Sequence, residues 1–479
     1  MSTSRRPLVE EVKTKFDAPR CFDALAARPH SFFLDSGMDP EKLGRYSFMG
    51  SDPFLVLRSR GDRVSLVRDG VEEIRQGNPF DILGELLEAC SLDGSETGLP
   101  FTGGAVGYLS YDLCHFIERL HASAVDDLQL PECYFGFYDA IAAFDHLENR
   151  AYVVSTGLPE EDAGRRQRRA QERLRELKET IMNPPPSPPI ATPSGDGVVL
   201  RANFSREGYL EAVATAREYI CAGDIFEVNL SQRFEAELDI PPYDLYRRLR
   251  GINPAPFASY FNFDGVSIVG ASPERFLKVR GDGVETRPIK GTRPRGRTPR
   301  EDKALADELM ASIKDRAENI MIVDLERNDL GRVCRYGTVN VTELAELETF
   351  PTVFHRTSTV VGRLGEGKNR IDLLKATFPG GSITGAPKVR SMEIIDELEP
   401  TRRSVYTGSL GYLGFDGNMD LDIVIRTMII KGGRAYFQMG GGIVYDSEPQ
   451  AEYLETLDKG RAIFRALTQS PDGEVEILA

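Results

Sequence analysis

Lys290 stands between two turn-forming residues in the stretch Glu285-Thr-Arg-Pro-Ile-Lys-Gly-Thr-Arg-Pro-Arg-Gly-Arg297, with arginines on both sides. Pro288 fixes its own φ and pushes Arg287 toward an extended conformation, while Gly291 lets the backbone turn directly after the lysine. The side chain is thereby presented rather than left to float. Arg287, Arg293, Arg295 and Arg297, if close, lower the pKa of the lysine and attract an anion. A lysine with a depressed pKa is a nucleophile. On spacing alone the stretch also suits a solvated basic loop.

Other residues could complete such a site. Glu448, Glu452 and Glu455 recur at i, i+4 and i+7 near the C-terminus, and like charges at that spacing cost a helix about 0.2–0.5 kcal/mol per pair. A hard divalent cation turns that cost into affinity, and carboxylates with retained waters are how Mg²⁺ is held. A second helix should then contribute, with Glu318 as its candidate; a solvated acidic face is the alternative. Thr384-Gly-Ala-Pro-Lys388 opens a helix whose free N–H groups suit a carboxylate or phosphate. Gly440-Gly-Gly442 follows a strand, where bare backbone lets a ligand approach. Arg426 lies in the otherwise apolar run Ile423–Ile430 and needs an anionic partner if it points inward. Together these describe a pocket for a small molecule with more than one carboxylate, beside a metal. His355 is the one histidine after residue 200, and an isolated histidine is more often structural than catalytic.

The elements that must position these groups fall in two halves. Residues 20–157 read as short strands and turns: Ser31–Leu34, Phe54–Arg58, Arg63–Val67 and Ala151–Ser155, with Gly103–Tyr111 a buried strand whose glycines admit a neighbouring backbone. A charged helical stretch from Gly164 to Thr180 leads into Asn183–Pro189 and Thr192–Gly197, a composition that resists packing and marks a linker. The expected division is 1–157, a mainly β region; 158–199, helix and linker; and 200–470, a domain alternating helices and strands. In it Ser205 caps a helix that ends near Gly223, and Thr298-Pro-Arg-Glu301 is a capping box opening one helix toward Glu318. Further helices start at Gly385-Ala-Pro387 and Ser447-Glu-Pro449, and strands cover Phe226–Phe234, Ser409–Leu413, Ile423–Ile430 and Ala435–Met439.

Composition limits the function classes. At 479 residues, 41% apolar and 28% charged, the chain can bury a large core. A net charge of −15 argues against nucleic acid as a partner, because counterion release needs a basic surface. The start MSTSRRPLVEEVKTKF lacks the apolar core of a signal peptide and no apolar run reaches membrane-spanning length, so the expected location is cytoplasmic, with no membrane partner. Six scattered cysteines lack the spacing of a zinc site or a disulfide frame. None sits in a Gly-x-Cys-x-Gly nucleophile turn, so glutamine hydrolysis would need another chain.

Ser272-Pro-Glu-Arg-Phe276, Pro288-Ile-Lys-Gly-Thr-Arg293, Asp324-Leu-Glu-Arg-Asn-Asp-Leu-Gly-Arg332, Gly385-Ala-Pro-Lys388 and Glu452-Tyr-Leu-Glu-Thr456, in this order, resemble the chorismate-utilising enzymes. The likeness is dense over 200–470 and thinner through Leu34-Asp-Ser36, Gly44-Arg-Tyr-Ser47 and Gly103–Tyr108. The resemblance implies an α+β, anthranilate synthase component I-like fold, a large β-sandwich with helices packed outside. It implies Mg²⁺ held by Glu318 and Glu455 with Glu452 in support, and chorismate bound by Tyr406, Arg426 and the Gly442 backbone, with Thr292 and Gly385 lining the site. Lys290 is implied as nucleophile and Glu274 as general acid, while His355 matches a histidine that assists pyruvate loss in anthranilate synthases. Water-adding members carry a lysine where this chain has Gln232, so ammonia is the implied nucleophile, supplied from glutamine by an amidotransferase subunit. Anthranilate synthases carry alanine at the position of Lys290; lysine there marks the branch that makes aminodeoxychorismate for p-aminobenzoate and folate. Anthranilate synthesis is the alternative, as is a non-catalytic tryptophan-binding sensor, because Leu34-Asp-Ser36 resembles a motif that holds tryptophan in relatives, with Ser36 as the contact.

Overall fold

The structure is a computed structural model describing residues 5–93, 97–194, 197–350, 353–469 and 475–478. Among these residues the strands form two large sheets, of thirteen and twelve strands. Both sheets draw on both halves of the chain. In the larger, Phe32–Asp35 pairs with Phe257–Phe263, which pairs in turn with Val266–Ser272, Thr427–Lys431, Arg434–Ile443 and Glu227–Glu237 in neighbouring order. In the other, Gly104–Leu109 lies antiparallel to Ser409–Gly414. The expected close approach at the glycines is present: a Cβ on Gly107 would stand 1.8 Å from the Tyr134 carbonyl oxygen, so only glycine lets these strands meet.

The sheets share an apolar core to which both halves contribute. Tyr108 and Tyr134 of one sheet meet Phe261 and Phe263 of the other, with Tyr134 and Phe263 ring centroids 4.3 Å apart. Helices pack outside, as in the helix Ala163–Met182, which buries Leu174, Leu177 and Ile181 against Ala140–Asp145 and Arg150–Ser155. This is the expected α+β sandwich with helices around it. The Pro-rich segment after that helix is anchored: Arg247 donates to the Pro188 carbonyl at 3.1 Å. Gly195 and Asp196, within the expected linker, lie outside the described residues. No helix among the described residues is long and apolar enough to cross a membrane.

Local signals place the functional elements, with three corrections. Ser205 accepts a hydrogen bond from Gly208 N and Gly223 ends the helix at φ +85°, as its missing side chain allows. The single helix expected from Pro299 to Glu318 is two, Pro299–Ala311 and Ile313–Gly331, because Ser312 adopts an extended conformation and caps the second by accepting from Asp315 N. The strand expected over Ile423–Ile430 begins only at Thr427; Arg426 precedes it with φ +54°, in a left-handed conformation that takes its side chain out of the strand's alternation. Gly440–Gly442 lie inside the strand Arg434–Ile443 rather than after it.

Candidate active site

Lys290 lies on the strand Ile289–Pro294 and is buried, 8% exposed. Its Nζ donates to Glu227 Oε1 on the strand Glu227–Glu237 of the other sheet, and Glu227 is 0% exposed. Burial pulls the lysine pKa down, but Glu227 and Glu318 outweigh it and the net shift is upward. This reverses the expectation of a lysine depressed by arginines. Each of those arginine side chains with an ion pair is committed elsewhere: Arg287 to Glu343 and Glu348, Arg293 to Glu308 and Asp315, Arg295 to Asp302. Neutralised in place, they cannot push protons off Lys290.

Glu274 follows the strand Val266–Ser272. Its Oε1 accepts from Ser382 Oγ at 2.5 Å and from Ile289 N at 3.3 Å, beside the lysine. Burial raises its pKa to about 7, with the Ser382 and Ile289 hydrogen bonds pulling weakly the other way. Both hydrogen bonds end on Oε1, which leaves Oε2 to carry a proton at neutral pH, the state of a general acid.

The acidic residues converge from two helices. Glu452 and Glu455 rise from Pro449–Leu467 and Glu318 from Ile313–Gly331; Lys314 Nζ stands 3.9 Å from both Glu318 Oε1 and Glu452 Oε1, and Lys459 Nζ 2.6 Å from Glu455 Oε1. Burial raises Glu318 to about 7, while Lys459 holds Glu455 below the usual carboxylate range. Among the described residues no three Asp, Glu, His or Cys side chains already surround one point as a metal site does. The donor chemistry nevertheless suits a hard cation: the donors are carboxylate oxygens, and Glu318 Oε1 is buried without a hydrogen-bond partner. The two lysines hold the neutralising role that a divalent ion would take.

The opposite wall carries the expected anion binders. Tyr406 is buried; Arg426 is half-buried, donates to the Lys459 carbonyl and is lowered to about 10 by burial. Its partner is therefore a backbone carbonyl rather than the anticipated carboxylate. Arg426 also lies within electrostatic reach of Tyr406, Glu455 and His355. His355 pairs with Thr292 Oγ1 at 2.9 Å and is lowered to about 3 by burial and then by Arg426, so its ring is neutral at pH 7. Gly442 pairs with Asn229, and a Cβ there would stand 2.3 Å from Glu227 Oε1 and 3.2 Å from Lys290 Nζ. Gly385 supports the same spot, since its Cβ would lie 2.2 Å from the Glu227 carbonyl oxygen. Lys388, at the helix start after it, is taken up by Asp329 and the Thr377 and Pro379 carbonyls. Gln232 is buried and donates to Thr456 at 2.6 Å.

Ser36 lies elsewhere. It lines a separate cavity of about 320 Å³ with Leu34, Arg45, Phe257 and Arg280, and its hydroxyl donates to the Tyr46 carbonyl at 2.6 Å.

Residues 40–465 match the family profile described as chorismate binding enzyme. The chain belongs to this family. It is 40% identical over 473 residues to the aminodeoxychorismate synthase component 1 of Bacillus subtilis (strain 168), covering 98% of each chain. It is 41% identical over 473 residues to the anthranilate synthase component 1 of Pseudomonas putida, covering 97% of this chain and 95% of that one. Among solved structures, anthranilate synthase component I from Streptococcus pneumoniae TIGR4 superposes with a TM-score of 0.78 at 37% identity, covering 87% of this chain and 91% of that one. The isochorismate synthase MenF from Escherichia coli, 18% identical with a TM-score of 0.71 over 97% and 95% of the two chains, shares the fold. This chain is thus a chorismate-utilising enzyme.

Motif reading missed five side chains of the site. Glu227 heads a strand buried through Phe234, but Glu-Val-Asn-Leu-Ser-Gln-Arg-Phe is mostly polar and carries no signal that its first carboxylate is buried. Lys314 and Lys459 read as ordinary helix-surface lysines. Glu399 and Arg403, a fully buried pair behind Tyr406, carried no motif.

Proposed function

We propose that the chain converts chorismate and ammonia to 4-amino-4-deoxychorismate. The observation that carries this is the placement of Lys290: a buried amine beside a buried carboxyl, Glu274, poised to be protonated at neutral pH. Identity to the two kinds of relative is nearly equal, so the lysine separates the readings; a sequence on the anthranilate branch has alanine there. In the proposed reaction the Lys290 amine attacks ring carbon C2, the two conjugated ring double bonds shift together toward C4, and the C4 hydroxyl leaves as water with the proton of Glu274. Ammonia then adds at C4, both double bonds return and the C2–N bond breaks, freeing the lysine. Tyr406, Arg426 and the Gly442 backbone hold the side-chain carboxylate of the substrate, and neutral His355 with Thr292 lines the same wall. Glu318, Glu455 and Glu452 would hold Mg²⁺, which when bound supplies charge neutralisation for the ring carboxylate. Ammonia comes from glutamine through a separate amidotransferase subunit.

The deciding experiment is product identification. With chorismate, ammonium and Mg²⁺ the pure chain is expected to make aminodeoxychorismate, and Lys290→Ala to lose most of it, by orders of magnitude in rate. Aminodeoxychorismate formed at an undiminished rate by Lys290→Ala would reduce the lysine to a charge in the pocket. Anthranilate from the unaltered chain would favour the other branch.

A further inference from the structure

The partner of Lys290 is unexplained by the reaction as described. Glu227 Oε1 accepts from Lys290 Nζ, while Glu227 Oε2 is buried with no hydrogen-bond partner. The backbone that carries the carboxylate is fixed. It is held on one side by the pairing of Glu227 with Ala386 and on the other by that of Val228 with Ile443, and Ser391 Oγ donates to the Glu227 carbonyl at 2.9 Å. The space for the side chain exists because residue 442 is glycine. Its burial carries a desolvation cost that an ion pair seldom offsets, so stability alone does not account for it.

We propose that Glu227 is a further catalytic residue, the base that takes the proton from Lys290 before the amine attacks the substrate. The inference rests on the proposed role of Lys290 as nucleophile. An ammonium has no lone pair, and the carboxylates facing Lys290, Glu227 first and then Glu318, hold it in that form. A covering substrate removes water, and in a low-dielectric site a neutral amine and carboxylic acid gain on the ion pair. The proton passes from Nζ to Glu227, and the freed lone pair forms the bond to C2 while the C4–O bond breaks. When ammonia expels the lysine, the C2–N electrons return to Nζ as an amine and the Glu227 proton goes back, restoring the pair. Glu274 regains its proton from the ammonium that supplies the ammonia.

The test is the rate at which the Lys290 adduct forms. Wild type and Glu227→Gln are mixed with chorismate and Mg²⁺ without ammonium, quenched over milliseconds to minutes, and digested for mass spectrometry between pH 6.5 and 9.5. Glu227→Gln is expected to form the adduct about 100-fold more slowly at pH 7, within the usual range for a lost base. The deficit should shrink as pH rises, because solvent can then take the proton. A rate within about threefold of wild type at pH 7, or a deficit constant across the pH range, overturns the assignment; the second outcome marks a structural role. Should Glu227→Gln fail to fold by circular dichroism, Glu227→Asp serves, expected slower than wild type but with the wild-type pH profile, and a steep pH dependence there overturns the proposal. Absence of any adduct in wild type instead refutes the nucleophilic role of Lys290, so the two failures are distinguishable.

Discussion

Arg403 is the residue on which the substrate wall hangs, and its removal has a calculable consequence. Its side chain and that of Glu399 are each 1% exposed. The guanidinium donates to Glu399 Oε2 at 2.9 Å and Oε1 at 2.7 Å, to the Asn229 carbonyl at 2.6 Å, to the Ile383 carbonyl at 2.9 Å and to Thr407 Oγ1 at 3.4 Å. Arg403→Met keeps much of the volume and removes every donor. Glu399 is then a buried charge without its cation, a loss of about 3–5 kcal/mol. Its remaining donors, Ser231 N and Oγ and the more distant Gln438 Nε2 at 3.5 Å, soften that figure only slightly. Replacing both partners, in Arg403→Met/Glu399→Met, should be less destabilising than Arg403→Met alone, because no charge is stranded; the Ser231 donors left unpaired still cost about 1–3 kcal/mol. Urea unfolding at pH 7, followed by circular dichroism, measures both. Since Asn229, Ile383 and Thr407 carry the wall beneath Tyr406, KM for chorismate should rise in both variants. A loss below about 1 kcal/mol in Arg403→Met, or a double variant no more stable than Arg403→Met, would refute the reasoning.

Three acid–base and steric predictions and one binding prediction accompany it. Glu274, raised to about 7, must be protonated to act as acid, so kcat/KM should fall above pH 7 toward tenfold per unit; Glu274→Gln should lose about 10²–10⁴ in rate, and a flat profile to pH 9 in the wild type speaks against the assignment. Glu318, also raised to about 7, must lose its proton to hold Mg²⁺, so apparent Mg²⁺ affinity measured by calorimetry should strengthen from pH 6 to 8; Glu318→Gln should abolish this trend, and unaltered binding by that variant would exclude Glu318 as a ligand. Gly442→Ala puts a Cβ 2.3 Å from Glu227 Oε1 and should abolish turnover with the fold intact, whereas Gly441→Ala, whose nearest atom is 3.3 Å away, should keep measurable activity; equal activities would contradict the packing. The cavity beside Ser36 is proposed to take tryptophan, so equilibrium dialysis should show saturable binding that Ser36→Phe removes; no binding by wild type sinks this.

What the sequence disclosed and what it withheld divide by range. Caps are local, and Ser205, Gly223 and Thr298 are read correctly because each signal sits within a few residues of its effect. The charge state of Lys290 is a sum over partners remote in the chain. Glu227 lies 63 residues away, and Arg287 finds Glu348 61 residues downstream, so four arginines in one stretch say little about the potential at the lysine between them. A run of like charges predicts a field only when its counter-charges are absent, and folding supplies them.

Arg426 and the glycine strand show the same limit for shape. Apolar residues on both sides of Arg426 imply a continuous strand, yet the chain breaks there, with φ +54°, and the break lets the arginine reach the Lys459 carbonyl on the last helix. Within Arg434–Ile443 successive positions face opposite ways, so Gly441 looks toward Glu452 and Glu455 while Gly442 looks toward Glu227 and Lys290. Only bare backbone separates Glu452 and Glu455 from the proposed nucleophile. That proximity explains why Lys290 and Glu455 sense each other, and why any side chain at Gly442 would crowd the lysine and its base together. The glycines announced a close approach in the sequence; which groups were approaching depended on a helix and a strand that only the fold brings together.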